Sequence, residues 1–204
     1  DGEVFSACES DMKPRLFIVH GYQAQVDSHW FRWLCQQFPQ TDAHIVALPD
    51  SHHPQFEAWL SALQAAIGQV DANTFIVAHS LGCVSTLRFL NGQTEAHILG
   101  GLALVAGFAE PLQNLPELDA FTTADLDWTR LQNHINHRLV VLSEDDAVVM
   151  PEATERLANA LHAPLLRLNQ RGHFMSQNGC DTLPEVALWL RQHLPQLTPA
   201  NGMM

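Results

Sequence analysis

Three residues of this chain have the types and spacing for acyl-transfer chemistry: Ser80, Asp146 and His173. Ser80 lies in the stretch Thr74-Phe75-Ile76-Val77-Ala78-His79-Ser80-Leu81-Gly82. The β-branched, aromatic and apolar run from Thr74 to Ala78 has the composition of a buried strand. His79-Ser80-Leu81-Gly82 reads as a tight turn. From Cys83 to Leu90 the apolar Val84, Leu87 and Leu90 recur at a spacing of three, on one face of a helix. A strand, a sharp turn with serine at its tip and a helix make a nucleophile elbow, usually written G-x-S-x-G. The turn strains the serine backbone, and small neighbours let strand and helix close around it. Gly82 is the second small position. Ala78 replaces the first glycine, and a methyl is the smallest possible departure.

A serine becomes a nucleophile only with a base, and the base needs a carboxylate to hold its tautomer and stabilise its charged form. Arg138 to Ser143 reads as a strand and runs into Glu144-Asp145-Asp146. Asp146 opens a D-x-V-V pattern that turns into the next helix, so it is the favoured acid, with Asp145 the alternative. Ala163 to Leu168 reads as the last strand. Gly172-His173-Phe174 follows on its loop, where His173 can act as base. Leu16 to Val19 is a further strand, ending in His20-Gly21-Tyr22. Gly21 lets the backbone turn so that the Tyr22 amide can point at a developing oxyanion. The Leu81 amide would be the second donor. His20, Gly21, His79, Trp30, Phe108 and Phe174 are candidate pocket residues.

The remaining elements must carry these loops to one place. Ser28 to Phe38 reads as a helix with Ser28 as N-cap, and its Trp30, Trp33 and Leu34 form a core stripe. Ala43 to Leu48 is the second strand, Gln55 to Val70 an amphipathic helix, and His97 to Val105 a strand. Residues 109–137 form the long irregular excursion, with short helical pieces at Leu112–Leu118 and Trp128–His134. They are expected to cover a fairly open site. Helices follow at Pro151–His162 and Leu183–Leu194. Strands alternating with helices predict an α/β fold. It is a three-layer αβα sandwich around a mostly parallel sheet of about six strands, in the order 2-1-3-4-5-6. Functional loops then gather at the carboxyl ends of the strands.

Composition narrows the function. The chain has 204 residues and a formal net charge of −12, with only 10 Lys and Arg. That balance disfavours nucleic acid and anionic membrane surfaces as partners. The four cysteines (Cys8, Cys35, Cys83 and Cys180) are irregularly spaced, which suggests free thiols in a reducing, cytoplasmic setting. The apolar run Ile98 to Ala109 is too short to span a bilayer. His52 and His53 stand beside Asp50, but adjacent residues rarely converge on one ion, and no H-E-x-x-H set accompanies them. They read as a rim loop, and no metal or cofactor is expected. Residues 1–11 read as an extension, 12–197 as one domain and 198–204 as a tail.

With the order Ser80, Asp146, His173 the chain resembles the RBBP9/YdeN family of small serine hydrolases, closest to the YdeN-like branch. The resemblance is carried by FIVHGY (17–22), HWFRWL (29–34), FIVAHSLGCVSTLRFL (75–90), GGLALVAGFAEPL (100–112), LSEDDAVVMP (142–151) and RGHF (171–174). It implies the α/β-hydrolase fold with little lid, the second Asp of the pair as triad member, and tolerance of Ala78 before the nucleophile. The expected activity is hydrolysis of small carboxylic esters through an acyl-enzyme, in the manner of a carboxylesterase. Amidase or thioesterase action on the same fold is an alternative. A second alternative is a binding protein on a hydrolase scaffold with little turnover. The expected partner is a small-molecule ester or amide; no protein partner is indicated.

Overall fold

A computed structural model describes residues 13–94 and 97–196. The expected extension at 1–11 and tail at 198–204 lie outside these residues, as does Cys8. Six strands form one sheet: β1 (Arg15–Val19), β2 (Asp42–Val46), β3 (Thr74–His79), β4 (Leu99–Val105), β5 (Ile135–Ser143) and β6 (Leu165–Leu168). Their order is β2-β1-β3-β4-β5-β6, and every neighbouring pair is parallel. This is the α/β-hydrolase architecture expected from the sequence.

Side chains on a strand alternate between faces, so a strand covered on both sides is apolar throughout. Phe17, Ile76, Leu102 and Val140 face one apolar layer; Ile18, Val77, Ala103 and Val141 face the other. The first layer is closed by α2 (Phe56–Ile67), α3 (Leu81–Asn91), α4 (Trp128–His134) and α5 (Pro151–Leu161), through Trp59, Leu63, Leu87, Leu131 and Leu157. The second is closed by α1 (Phe31–Gln36) and α6 (Pro184–His193), through Phe31, Leu34, Val186 and Leu190. A buried leucine or phenylalanine contributes roughly 1.5–3 kcal/mol. The two layers together hold the sheet's loops at fixed positions.

Three local expectations differ from the structure. Ser28 does not cap α1, which begins three residues later. Its hydroxyl instead accepts the Gln25 amide at 2.9 Å and closes a preceding turn. The excursion is shorter than expected, because α4 runs directly into β5 and Ile135 already pairs with Leu99. The helical piece expected at Leu112–Leu118 is a turn followed by a 3-10 helix at Pro116–Phe121.

Candidate active site

Ser80 is the single residue between β3 and α3, and its backbone lies at φ 56°, ψ −123°. For a side chain with a Cβ this costs on the order of 1–3 kcal/mol and persists only where the surroundings enforce it. The Ser80 amide donates to the Val105 carbonyl at 2.9 Å, continuing the β3–β4 ladder, and the Cys83 amide donates to the Ser80 carbonyl at 2.9 Å. Gly82 is required by close approach. A Cβ there would lie 2.4 Å from the His20 carbonyl oxygen and 2.7 Å from that of Val19. The start of α3 therefore sits directly on the end of β1. Ala78 is fully buried in the sheet without conflict.

The loops after β3, β5 and β6 bring three side chains into line. His173 Nε2 lies 2.9 Å from Ser80 Oγ, and His173 Nδ1 lies 2.8 Å from Asp146 Oδ2. The other carboxylate oxygen of Asp146 accepts the amides of Val148 and Val149 at 2.9 and 3.0 Å. One oxygen is thus anchored by backbone while the other meets the ring. The three residues are only 5–7% exposed, so these polar contacts are shielded from competing water.

Asp145 points elsewhere. Its Oδ1 accepts the Ser143 hydroxyl at 2.6 Å and the Gly172 amide at 3.0 Å. Ser143 Oγ in turn accepts the Arg171 amide at 3.0 Å. The Ser143 hydroxyl, then the Gly172 amide, hold the Asp145 carboxyl below its usual range. Asp145 braces the loop that carries His173.

The His20-Gly21-Tyr22 backbone lies against the elbow. A Cβ on Gly21 would stand 2.9 Å from the His79 carbonyl oxygen, 3.0 Å from Ser80 Cβ and 3.3 Å from the Leu81 nitrogen. Leu81 opens α3, so its amide has no intrahelical acceptor. The His20 ring braces this loop. Its Nδ1–H donates to the Gly21 carbonyl at 3.0 Å, and its Nε2 accepts the Leu48 amide at 3.1 Å. Burial lowers the His20 pKa and so favours the neutral ring this arrangement requires.

Of the expected pocket residues, His79, Trp30, Phe108 and Phe174 are 0–2% exposed and border neither cavity beside the His20-Gly21-Tyr22 loop, so they stand behind the site; His20, 1% exposed, borders one of those cavities. Trp30 Nε1–H donates to the Phe174 carbonyl at 3.1 Å, and His79 Nε2 lies 2.8 Å from the His173 carbonyl oxygen. Phe108 and Phe174 fill the two apolar layers. Nearness in sequence to a functional loop placed these residues close to the site, but their side chains turn inward. Gly21 is also buried, and Tyr22 is half-buried at the rim, its hydroxyl donating to Glu117 Oε1 at 3.3 Å. Cavities of about 400 and 380 Å³ flank this loop, the first bordered by His20 and Leu48, the second by Tyr22 and Glu117, and both by His52. A cavity of about 470 Å³ beside Pro14, Thr41 and Leu194 lies at the amino ends of the strands and includes no candidate residue.

Asn178 was not singled out from the sequence. Its Oδ1 accepts the amides of His173 and Met175 at 3.2 and 3.3 Å. An exposed asparagine five residues past a histidine has no distinguishing local signal. Among the described residues no group of three or more His, Cys, Asp or Glu is arranged to hold a metal ion. Nor is any helix among them long and apolar enough to cross a membrane.

The family model described as serine hydrolase matches residues 16–192. YdeN of Bacillus subtilis (strain 168) is 37% identical over 177 residues, which cover 86% of this chain and 93% of YdeN. Its crystal structure superposes with a TM-score of 0.86, covering 89% of this chain and 98% of that one at 36% identity. The serine hydrolase RBBP9 of Rattus norvegicus is 23% identical over 151 residues, 72% of this chain and 78% of RBBP9. Est1E from Butyrivibrio proteoclasticus shares the fold, with a TM-score of 0.67 at 14% identity over 92% of this chain and 91% of Est1E. A parallel sheet with a strained serine at its elbow and a match across nearly the whole of that sheet lead to one conclusion: this chain belongs to the serine hydrolase family.

Proposed function

We propose that the protein hydrolyses carboxylic esters of small acyl groups, with Ser80, His173 and Asp146 as its catalytic triad. The observation that carries this reading is the continuous line from Ser80 Oγ through both ring nitrogens of His173 to Asp146, at 2.9 and 2.8 Å. His173 Nε2 takes the hydroxyl proton as Ser80 Oγ attacks the ester carbonyl. Asp146 holds the Nδ1–H tautomer and stabilises the imidazolium. The amides of Tyr22 and Leu81 receive the developing oxyanion. His173 returns the proton to the leaving alcohol, and water, activated by the same ring, releases the acid from Ser80. No cofactor enters this scheme, and the partner is the small-molecule substrate itself.

The test is labelling with a fluorophosphonate probe alongside hydrolysis of p-nitrophenyl acetate, p-nitrophenyl thioacetate and p-nitroacetanilide. Wild type should label and cleave the oxygen ester fastest; Ser80→Ala should do neither, and His173→Ala should be strongly reduced. Folded wild type that neither labels nor turns over any of the three would sink the reading. A faster thioester or anilide would replace the esterase assignment with thioesterase or amidase.

A further inference from the structure

His79 takes no part in the proton path or the oxyanion site, yet it is almost fully enclosed beside them. It is 2% exposed. The rings of His29, Trp30 and Phe31 meet it edge-on at 5.6, 5.8 and 5.9 Å, and the ring of His173 lies at 5.0 Å. Its Nε2 lies 2.8 Å from the main-chain carbonyl oxygen of His173, so Nε2 carries the proton and donates it. Nδ1 then bears a lone pair, is buried, and has no hydrogen-bond partner. Burial first, then the charge of His173 and of His29, push the His79 pKa well below the ordinary value, in keeping with the neutral ring.

A buried nitrogen without a hydrogen-bond partner destabilises the fold. An apolar side chain of similar size would avoid that cost in this aromatic surround. What the histidine supplies and an apolar residue does not is the Nε2–H donor.

We propose that His79 is a positioning residue for His173, fixing the base against the nucleophile through its hydrogen bond to the His173 carbonyl. This rests on the reading of Ser80 as nucleophile and His173 as base. Two consecutive residues hold His173 at both ends: His79 its carbonyl at 2.8 Å, Ser80 its Nε2 at 2.9 Å. The other braces of the loop come from elsewhere in the fold. Trp30 holds the Phe174 carbonyl, Asn178 the His173 amide and Asp145 the Gly172 amide. Among the described residues, only His79 ties the main chain of the base to the strand that leads into the nucleophile. β3 is buried along its whole length and paired on both sides, so its last residue is a rigid reference. A shift of the base by a fraction of an ångström from the serine lowers the rate of proton transfer without changing how substrate binds.

The experiment compares His79→Leu, His79→Gln and His79→Asn in the full chain. Leu fills similar space and removes both the donor and the unpaired nitrogen. Gln carries an N–H as far as Nε2; Asn stops a carbon short. His79→Leu should keep the thermal midpoint of wild type while kcat for p-nitrophenyl acetate falls by roughly 10- to 100-fold, with KM changed less than about threefold. His79→Gln should recover most of kcat, and His79→Asn should not. The downfield imidazole proton of His173 facing Asp146, read by NMR, should broaden or vanish in the Leu and Asn variants and persist in the Gln variant. Wild-type kcat and an unchanged resonance in His79→Leu would overturn the proposal. If that variant does not fold, equal kcat in the Gln and Asn variants overturns it instead. The resonance needs no turnover, so it decides the positioning role even where absent wild-type hydrolysis has removed the esterase reading.

Discussion

The Oδ1 of Asp145 accepts the amide N–H of Gly172 at 3.0 Å. Its neighbour Asp146 meets the next residue along, His173, at the ring. The two adjacent acids thus hold one loop by different means, the first through backbone and the second through the imidazole ring. Their substitutions should separate cleanly. Asp146→Asn keeps the shape but breaks the preference for the correct imidazole tautomer, and kcat should fall by about 10³- to 10⁴-fold. Asp145→Asn can still accept from Gly172 and should lower kcat by less than about tenfold. Steady-state ester hydrolysis on both variants checks this; equal losses would mean that Asp145 also serves the ring.

The two close-approach glycines should fail in different ways. Gly82→Ala drives a methyl into two backbone carbonyls of the β1 end, which cannot swing aside. It should destabilise the fold by about 1–3 kcal/mol, seen as a lowered denaturant midpoint. Gly21→Ala meets the elbow less severely and displaces the candidate oxyanion loop. Its loss should be mainly in kcat, with stability nearer wild type. Ala78→Gly, which restores the usual first glycine, should bring no gain in kcat and cost about 0.5–1 kcal/mol.

Acid should weaken the fold through its enclosed histidines. Burial holds the pKa values of His20 and His79 below that of a free imidazole, and it lowers His29 to about 4. In the unfolded chain all three take up protons near pH 6.5, whereas the folded state does not. The unfolded state therefore binds more protons below that pH, and stability falls as pH falls from about 6.5 towards 4. Above about pH 7 these groups contribute no slope. Each fully enclosed ring adds at most about 1.4 kcal/mol per pH unit, and the half-enclosed His29 less. Denaturant titrations between pH 5 and 8 should show this plateau and decline, with a shallower decline in His79→Leu. An equal slope in that variant would mean that His79 is charged in the folded state.

The thiols should be poor nucleophiles. Burial pushes the Cys35 pKa up to about 11 and that of Cys83 higher still, and it raises Cys180 as well. At pH 7.5 the thiolate fraction of Cys35 and Cys83 is very small. Iodoacetamide should modify both more than about tenfold slower in the native than in the unfolded protein, by peptide mass mapping, and ester hydrolysis should survive the treatment. Loss of activity in step with Cys83 alkylation would argue against Ser80 as nucleophile.

What could be read from the chain alone was whatever is decided by neighbours in sequence. Strands buried on both faces must be apolar throughout, so the runs at β1, β3, β4 and β5 were legible, and their alternation with helices gave the order in the sheet. The elbow was legible too, because a strained serine needs small residues two positions away, and Gly82 is one of them. Tertiary structure decided matters that depend on direction. Asp145 and Asp146 are chemically equal acids on one turn. They differ because the amides of Val148 and Val149 fix one carboxylate toward His173, while the other meets an amide 27 residues away. Trp30, His79 and Phe174 lie near functional loops in sequence, yet they hold the site from behind. Trp30 and His79 direct ring N–H groups to the carbonyls of residues 144 and 94 positions distant. Local pattern records which residues can be buried; only the packed chain determines which carbonyl each buried donor finds, because a donor removed from water must take whatever acceptor the fold brings to it.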